Sequence, residues 1–571
     1  MIKRILSTAV AVIMLLGLAA ACGASATRAP SSGASGQSSS ETLATITYYE
    51  ENTNTPGPYT GFRARAYEKY GLKVEYILAS VEQTQALLAS GNLPDVMRFR
   101  SKEELETAIS GNMLVNLNDY ADNLTNTIKY TGPAVEYSKQ NLSMDSGNWY
   151  VVLFGSTNNA VGPYAVTWGT PMYVRWDLYT AIGRPVADKF EDLIPIYKAM
   201  QDIEPETADG RKTYAVAMFT QWDGNGQFNQ SGITMLGYTG TYLNQNNMCY
   251  DTVNKRLVQN SSKDSPYYRT MKFYNQLQQN GLLDPDSITQ DWNTVNEKLA
   301  AGVYVAHFNS GNVAGYNTLD RNNADTPNGY VPLLFNEYKA VKSPVITLGN
   351  TPGQFCGISA KAKDIDACIR FLEAMADPDM LLTLFNGEQG DMWDIVNNDI
   401  MPTQKYWDWL DKGGDYIFND GEVRKEVFIR YSLAGAFLHP AHNGPLDLVN
   451  HPDVIKAKNS TKLMDEWASV YGAINQREYA VDNNINYTEP YACYFMPAAP
   501  DNLTSIKASV GDLVVDSFWR MIYSNSDEEF EAMWDQMESD VKALGGDQLW
   551  DWGQEAFAEA VKIAQANGQF D

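Results

Sequence analysis

Thirteen tryptophans and 34 tyrosines are the residues of this chain best suited to gripping a ligand. Indole and phenol faces stack on the C–H faces of sugar rings, while Asp, Asn, Glu and Arg reach the hydroxyls. Groups that would break bonds are harder to find. The chain has no Gly-x-Ser-x-Gly elbow and no Gly-x4-Gly-Lys-Ser/Thr phosphate loop. Its 69 acidic residues contain no pair that stands out as a glycosidase couple. His439-Pro440-Ala441-His442 offers two imidazoles, but Pro440 breaks the helix that would align them and no third ligand is evident. Asp482-Asn483-Asn484 and Asn486 lack the Gly and terminal Glu of a calcium loop. No metal and no cofactor are expected. Among the tryptophans, Trp534 sits on a helix stripe, and Trp519, Trp550 and Trp552 lie among terminal helices. Trp168, Trp222, Trp292 and Trp393 fall at strand ends or in loops and are the stacking candidates.

The elements that must hold such groups are clearest from Ser80 to Phe99. Ser80 followed by Gln83 opens a helix with a capping box, and Gly91 closes it in the left-handed region. Pro94 prevents continuation, and Val96-Met97-Arg98-Phe99 is a short strand. Lys73 to Leu78 alternates as a strand upstream, so the unit is strand–helix–strand with a right-handed crossover. In open α/β sheets, ligands collect at the carboxyl ends of strands. Thr45 to Tyr49 is the first strand, and it runs into the polar loop from Glu50 to Thr55. Glu50, Asn52 and Asn54 are therefore candidates by position. Asp95 sits where the chain enters its next strand. Thr213 to Met218 and Gly302 to Phe308 are further strands, ending at Gln221-Trp222 and at Asn309-Ser310-Gly311-Asn312. A helix from Asp364 to Ala376 and one capped by Ser526 with Glu529 follow, and Gln554 opens the last helix.

Several phrases carry a family resemblance. Leu88-Ala89-Ser90-Gly91-Asn92-Leu93-Pro94-Asp95-Val96 is one, and Gly111 to Tyr120 is another. Met172 to Tyr179 looks like a strand that crosses into a second lobe, although Trp176 here separates Arg175 from Asp177. Gly302 to Phe308 and the turn Asn386 to Trp393 add to the match. Together they resemble the extracellular solute-binding proteins, the ligand-capturing subunits of ABC importers, and above all the oligosaccharide type. The resemblance implies a two-lobed α/β fold of the type II periplasmic-binding-protein kind, each lobe a mainly parallel sheet flanked by helices. It implies that the Gly302 to Phe308 strand ends against the ligand, so Asn309 and Asn312 join Asp95 and Arg175 as polar candidates. The expected organisation places lobe 1 at 43–170 and 335–400, lobe 2 at 171–334, and a mainly helical part at 401–571 packing on both.

Composition sets the bounds. A length of 571 residues calls for more than one lobe. A net charge of -26 argues against nucleic acid and against an anionic membrane surface. Lys3-Arg4, an apolar run to Leu18, and Ala19-Ala20-Ala21 read as a signal peptide over 1–21. Cys22 before Gly23 resembles a bacterial lipobox, with Ala19 where Leu is usual, and is the expected lipidation site. The Ser/Gly/Ala-rich stretch to residue 42 reads as a disordered tether with a reach of roughly 25 Å. Cys249, Cys356, Cys368 and Cys493 lack Cys-x-x-Cys spacing, and Cys368 lies on the apolar stripe of its helix.

The expectation is a lipid-anchored, extracytoplasmic, non-enzymatic and monomeric binding protein that passes an oligosaccharide to an ABC permease. A receptor for a peptide or other organic nutrient, and an anchored glycoside-acting enzyme, are the alternatives.

Overall fold

Local signals are obeyed where they are strongest. Ser80 Oγ accepts the Gln83 N–H at 3.2 Å, the helix Val81–Ser90 follows, and Gly91 ends it at φ 63°. Glycine, with no Cβ, takes that backbone conformation at no steric cost. The computed structural model describes residues 43–50, 57–156, 171–220, 228, 231–240, 243, 246–342, 355–413, 416–423 and 431–566. Its strands in chain order are β1 (Ala44–Glu50), β2 (Gly57–Pro58), β3 (Leu72–Leu78), β4 (Val96–Phe99), β5 (Val151–Leu153), β6 (Tyr173–Arg175), β7 (Tyr238–Thr239), β8 (Met248–Asp251), β9 (Arg256–Gln259), β10 (Ala306–His307), β11 (Tyr330–Pro332), β12 (Ala340–Lys342), β13 (Phe355–Ile358), β14 (Trp393–Val396), β15 (Asp399–Pro402) and β16 (Asn486–Thr488).

The first sheet has the order β2-β3-β1-β4-β13-β5. β1 is parallel to β3 on one side and to β4 on the other, so the Ser80 helix is the crossover the sequence predicts. β13 returns from far down the chain and pairs antiparallel with β4 and β5. The period of two sends alternate side chains to opposite faces. Ile46, Tyr48, Val96, Val152, Cys356 and Ile358 point into one core. Tyr49, Met97, Phe99, Val151, Leu153 and Phe355 point into another. A sheet buried on both faces is the doubly covered α/β arrangement.

The second sheet has the order β10-β6-β11, with β6 antiparallel to both neighbours. The run predicted as a strand from Thr213 to Met218 extends it through the parallel bridges Tyr214↔Tyr304 and Val216↔Leu283. Its core includes Trp176, Phe273, Tyr304, Phe518, Trp519 and Trp534, so helices Asp501–Ile522 and Asp527–Ala543 complete this lobe. The C-terminal elements also reach lobe 1. Lys507 pairs with Glu103 at 2.6 Å, while Asn275 Nδ2 donates to the Met521 and Ile522 carbonyls. Tyr250 of β8 stacks on Phe557 at 5.3 Å, where Gly553 lets the last helix approach Met248 too closely for any Cβ.

Two expectations are corrected. The crossing strand stops at Arg175, and Trp176–Ala181 is a helix with Asp177 in its first turn, where a negative charge is favourable. The last helix begins at Gly546, not Gln554. Cys249, Cys356, Cys368 and Cys493 are free and buried. Among the described residues, no helix is long and apolar enough to cross a membrane.

Candidate functional site

In lobe 1 the register that sets Tyr49 beside Met97 carries Glu50 to the side of Arg98, at the carboxyl ends of β1 and β4. Arg98 Nη1 donates to Glu50 Oε1 at 2.9 Å, and both side chains are buried. The Tyr48 hydroxyl donates to Glu50 Oε2 at 3.0 Å, and the Tyr76 hydroxyl to the Glu50 carbonyl at 2.7 Å. Burial first, and then the Glu50 carboxylate, push the Tyr48 phenol well up. Beyond the end of β5, Ser156 N donates to Ser432 O at 3.0 Å and Ala434 N to Ser156 O at 2.8 Å. The Ser156 and Ser432 hydroxyls are buried and have no hydrogen-bond partner among the described residues.

In lobe 2 the matching end is built differently. Phe219 meets Trp292 edge-on at 5.6 Å and stacks on Phe308 at 6.0 Å. Trp292 opens the helix Trp292–Ala300, whose N-cap Asp291 takes the Thr294 N–H at 2.8 Å. Asn309 Oδ1 accepts the Gly311 N–H at 2.8 Å and so turns the chain after β10. Asn312 Nδ2 donates to Asn296 Oδ1 at 2.6 Å, which fixes its own Oδ1 as the acceptor for His307 Nε2 at 2.9 Å. His307 Nδ1 is then a buried lone pair without a partner among the described residues. Burial pushes this imidazole down to about 4, so it is neutral at pH 7.

The sequence-predicted residues divide into three groups. Asn52, Asn54, Trp168, Trp222 and Cys22 lie outside the described residues. Trp292, Asn309 and Asn312 come together at the lobe 2 end, while Glu50 stands at the lobe 1 end as a buried anchor. The rest lie elsewhere. Asp95 precedes β4 at its amino end, and its carboxylate takes the Thr47 N–H, the Thr47 hydroxyl and the Lys363 N–H. Arg175 ends β6, which runs against β10 and β11, so it sits at the opposite edge from His307. Its guanidinium is held by Asp177 and Glu204. Trp393 is in β14, donates Nε1 to the Gly387 carbonyl at 2.7 Å, and packs in a separate small core with Phe62 and Tyr406. Sequence reasoning missed Arg98, Phe219, His307 and Phe308. A charged or polar side chain inside an otherwise apolar strand was the available signal for Arg98 and His307.

The structure also supplies the third partner that the His439–His442 pair lacked. Asp379 Oδ1 lies 3.0 Å from His439 Nε2, and the three groups fall within reach of one ion. The hydrogen bonds favour another use. His439 Nδ1 accepts the Ala441 and His442 N–H groups, both at 3.2 Å, so the proton sits on Nε2 and is donated to Asp379. A metal would have to displace it. The cluster is a hydrogen-bonded turn fastened to the helix Pro378–Asn386.

Two α/β lobes, joined by a chain that leaves the first, builds the second and returns through β13, define a two-lobed periplasmic-type binding-protein fold. The model of the bacterial extracellular solute-binding protein family matches residues 52–380, more than half of the chain, and the protein belongs to that family. No curated protein matches the chain. Among solved structures, it is similar to the S. pneumoniae ABC-transporter substrate binding protein FusA in complex with kestose, at 16% identity and a TM-score of 0.63, over 92% of this chain and 100% of that one. It is similar to the alginate-binding protein AlgQ2 without calcium ion, at 15% identity and a TM-score of 0.61, over 90% and 98%. It is also similar to an HMO-binding, ABC-transporter-associated solute binding protein from Bifidobacterium longum infantis, at 13% identity and a TM-score of 0.54, over 90% and 98%.

Proposed function

We propose that this protein captures an oligosaccharide between its lobes and delivers it to an ABC permease, itself acting as a receptor and not as an enzyme. Family membership supports solute capture, and the proteins it resembles along nine-tenths of its length include one in complex with kestose. The observation that carries the sugar reading is the lobe 2 strand end. There Phe219, Trp292 and Phe308 pack together in the lobe 2 core, with the Trp292 ring beside the Asn309–Gly311 turn. Phe219 and Phe308 are buried behind this end, so the Trp292 edge and half-buried Asn309 are the groups that would meet a ligand with apolar faces and hydroxyl edges. Lobe 1 brings the serine hydroxyls and the Glu50–Arg98 floor to its own strand ends. A ligand that touches both ends does so only when the lobes are closed, so binding and closure are linked.

The reading includes an extracytoplasmic location with a lipid on Cys22, a monomer, and the lobe boundaries given above. Asn52, Asn54, Trp168 and Trp222 remain proposed contacts on sequence grounds. The test is a panel of oligosaccharides added to the purified protein, with tryptophan emission and melting temperature as readouts. A rise in melting temperature with one sugar, and no release of smaller sugars from it, is the expected result. Hydrolytic turnover by the pure protein, or a panel with no effect while a peptide raises the melting temperature, overturns the reading. Labelling of the Cys22→Ser variant with radioactive fatty acid in the producing cell tests the anchor, and retained label counts against it.

A further inference from the structure

Arg100 follows β4 at its carboxyl end, two residues past Arg98, and the two guanidiniums are committed differently. Arg98 is held by Glu50, and 4% of its side chain is exposed. Arg100 is 20% exposed and gives one N–H, from Nη2, to Glu104 Oε1 at 3.2 Å. Its Nε is buried and has no hydrogen-bond partner among the described residues. A guanidinium carries several N–H donors in a planar fork. Glu104 therefore takes up one part of Arg100 and leaves donors over. Folding gains nothing from an N–H withdrawn from water and left unpaired, so each such group calls for an explanation.

Local structure does not supply it. Ser101 caps the helix Lys102–Ser110 by accepting the Glu104 N–H at 3.3 Å, and Glu104 Oε2 accepts the Arg100 backbone N–H at 2.8 Å. That capping uses main-chain groups and needs no guanidinium. The side-chain pair itself is a partly exposed i,i+4 contact, a kind that contributes little stability. Position fits better. β1 and β4 end side by side, and beyond the end of β5 lie the Ser156 and Ser432 hydroxyls, also buried and unpartnered among the described residues. In open α/β sheets this edge is where ligands bind. From these observations we infer that Arg100 is the lobe 1 residue that recognises the glycan, donating from its uncommitted N–H groups to two neighbouring ligand oxygens, with Glu104 as its positioning residue. A planar fork suits two oxygens held side by side, either adjacent ring hydroxyls or the carboxylate of a uronate. This rests on the oligosaccharide reading above and deepens it.

Calorimetric titration of the full-length protein with kestose, maltotriose, xylotriose, chitotriose and trigalacturonate tests the inference. The first four offer hydroxyls and the fifth adds carboxylates, so the one that binds says which pair of oxygens Arg100 meets. For that sugar, Arg100→Gln is expected to raise Kd at least about tenfold. The melting temperature of the ligand-free variant should move by less than about 2 °C. Arg100→Lys keeps the charge and loses the fork, and is expected to recover little of the affinity. If Arg100→Gln does not fold, Arg100→Lys carries the same test. Lys198→Gln removes the same charge from an exposed pair with Asp202 and should leave Kd within about twofold. Arg100→Gln binding within about twofold of the parent, or Arg100→Lys binding as tightly as the parent, overturns the inference and leaves the oligosaccharide reading standing. So does an equal fall in melting temperature for Arg100→Gln and Glu104→Gln with Kd unchanged, the mark of a purely structural pair. A panel in which no sugar binds the parent overturns the oligosaccharide reading itself, and this inference with it.

Discussion

The carboxyl ends of β1 and β4 in lobe 1 and of β10 in lobe 2 are held by opposite means. Lobe 1 closes its end with a buried ion pair, Glu50 with Arg98, fastened by two tyrosine hydroxyls. Lobe 2 closes its end with packed rings and a neutral chain of hydrogen bonds from His307 through Asn312 to Asn296. The first arrangement is only as sound as its less dispensable partner, because either charge left alone in the interior is costly. The second spreads its stability over many weak contacts. The difference implies that lobe 1 fails abruptly under substitution and lobe 2 by degrees.

The largest expected effect breaks the ionic end. Arg98→Met leaves Glu50 buried without its cation and is expected to lower stability by about 3–5 kcal/mol. Urea denaturation reads this directly. The double variant Glu50→Gln/Arg98→Met removes both charges and is expected to recover most of that loss, since a buried pair replaced as a whole is often close to neutral. A double variant no more stable than Arg98→Met would mean that packing, not charge, holds the lobe 1 end.

The next effect belongs to lobe 2 and depends on pH. His307 has its pKa pushed from the usual 6.5 to about 4 in the fold, chiefly by burial. Between those values the unfolded chain binds the proton that the folded protein refuses, so stability rises with pH across that window. It is complete above about pH 6.5 and no longer changes with this group below about pH 4. The full span is on the order of 3 kcal/mol. His307→Gln keeps an amide beside Asn312 and removes the titration. Melting temperatures from pH 4 to 8 are expected to be flatter for the variant, after His439 and His451, which burial also pushes down, contribute equally to both proteins. Parallel curves would show that His307 titrates in the fold as it does in the unfolded chain. A smaller loss, about 1–3 kcal/mol, is expected for Asn312→Ala, which leaves His307 Nε2 without its acceptor.

The sequence made the scaffold legible and the site only partly so, and the reason is physical. Capping and stopping act within four residues, so Ser80, Gly91, Ser265, Asp364 and Ser526 show their roles locally. The sheet order is a long-range property: nothing near Phe355 says that β13 will lie between β4 and β5. Asp95 and Arg175 stand out in the family wording because they fasten the fold, one joining β1 to β4, the other holding Asp177 and Glu204. Arg98 and Phe308 sit at the carboxyl ends of β4 and of the strand that contains β10, yet each reads in sequence as one more residue of a strand. A loop's chemistry can be read from composition, but which loop meets which strand end cannot.

That contrast gives the smallest and most discriminating prediction. Asp95→Asn keeps the shape of the side chain at the amino end of β4 and weakens three hydrogen bonds that now end on a carboxylate. It is expected to cost about 1–2 kcal/mol of stability, because bonds to a charged group lose only part of their strength when the charge goes. Ligand affinity should stay within about twofold of the parent, a change of about 0.4 kcal/mol, since the substitution lies at the wrong end of the strand to touch the ligand. Asn309→Ala makes the complementary test at the carboxyl end. It removes the cap of a single-turn helix, costing about 1 kcal/mol, and should weaken binding beyond twofold if the amide also faces the sugar. If Asp95→Asn abolished binding while Asn309→Ala left it unchanged, the ligand would lie at the amino ends of the strands, and the assignment of the two ends would be reversed.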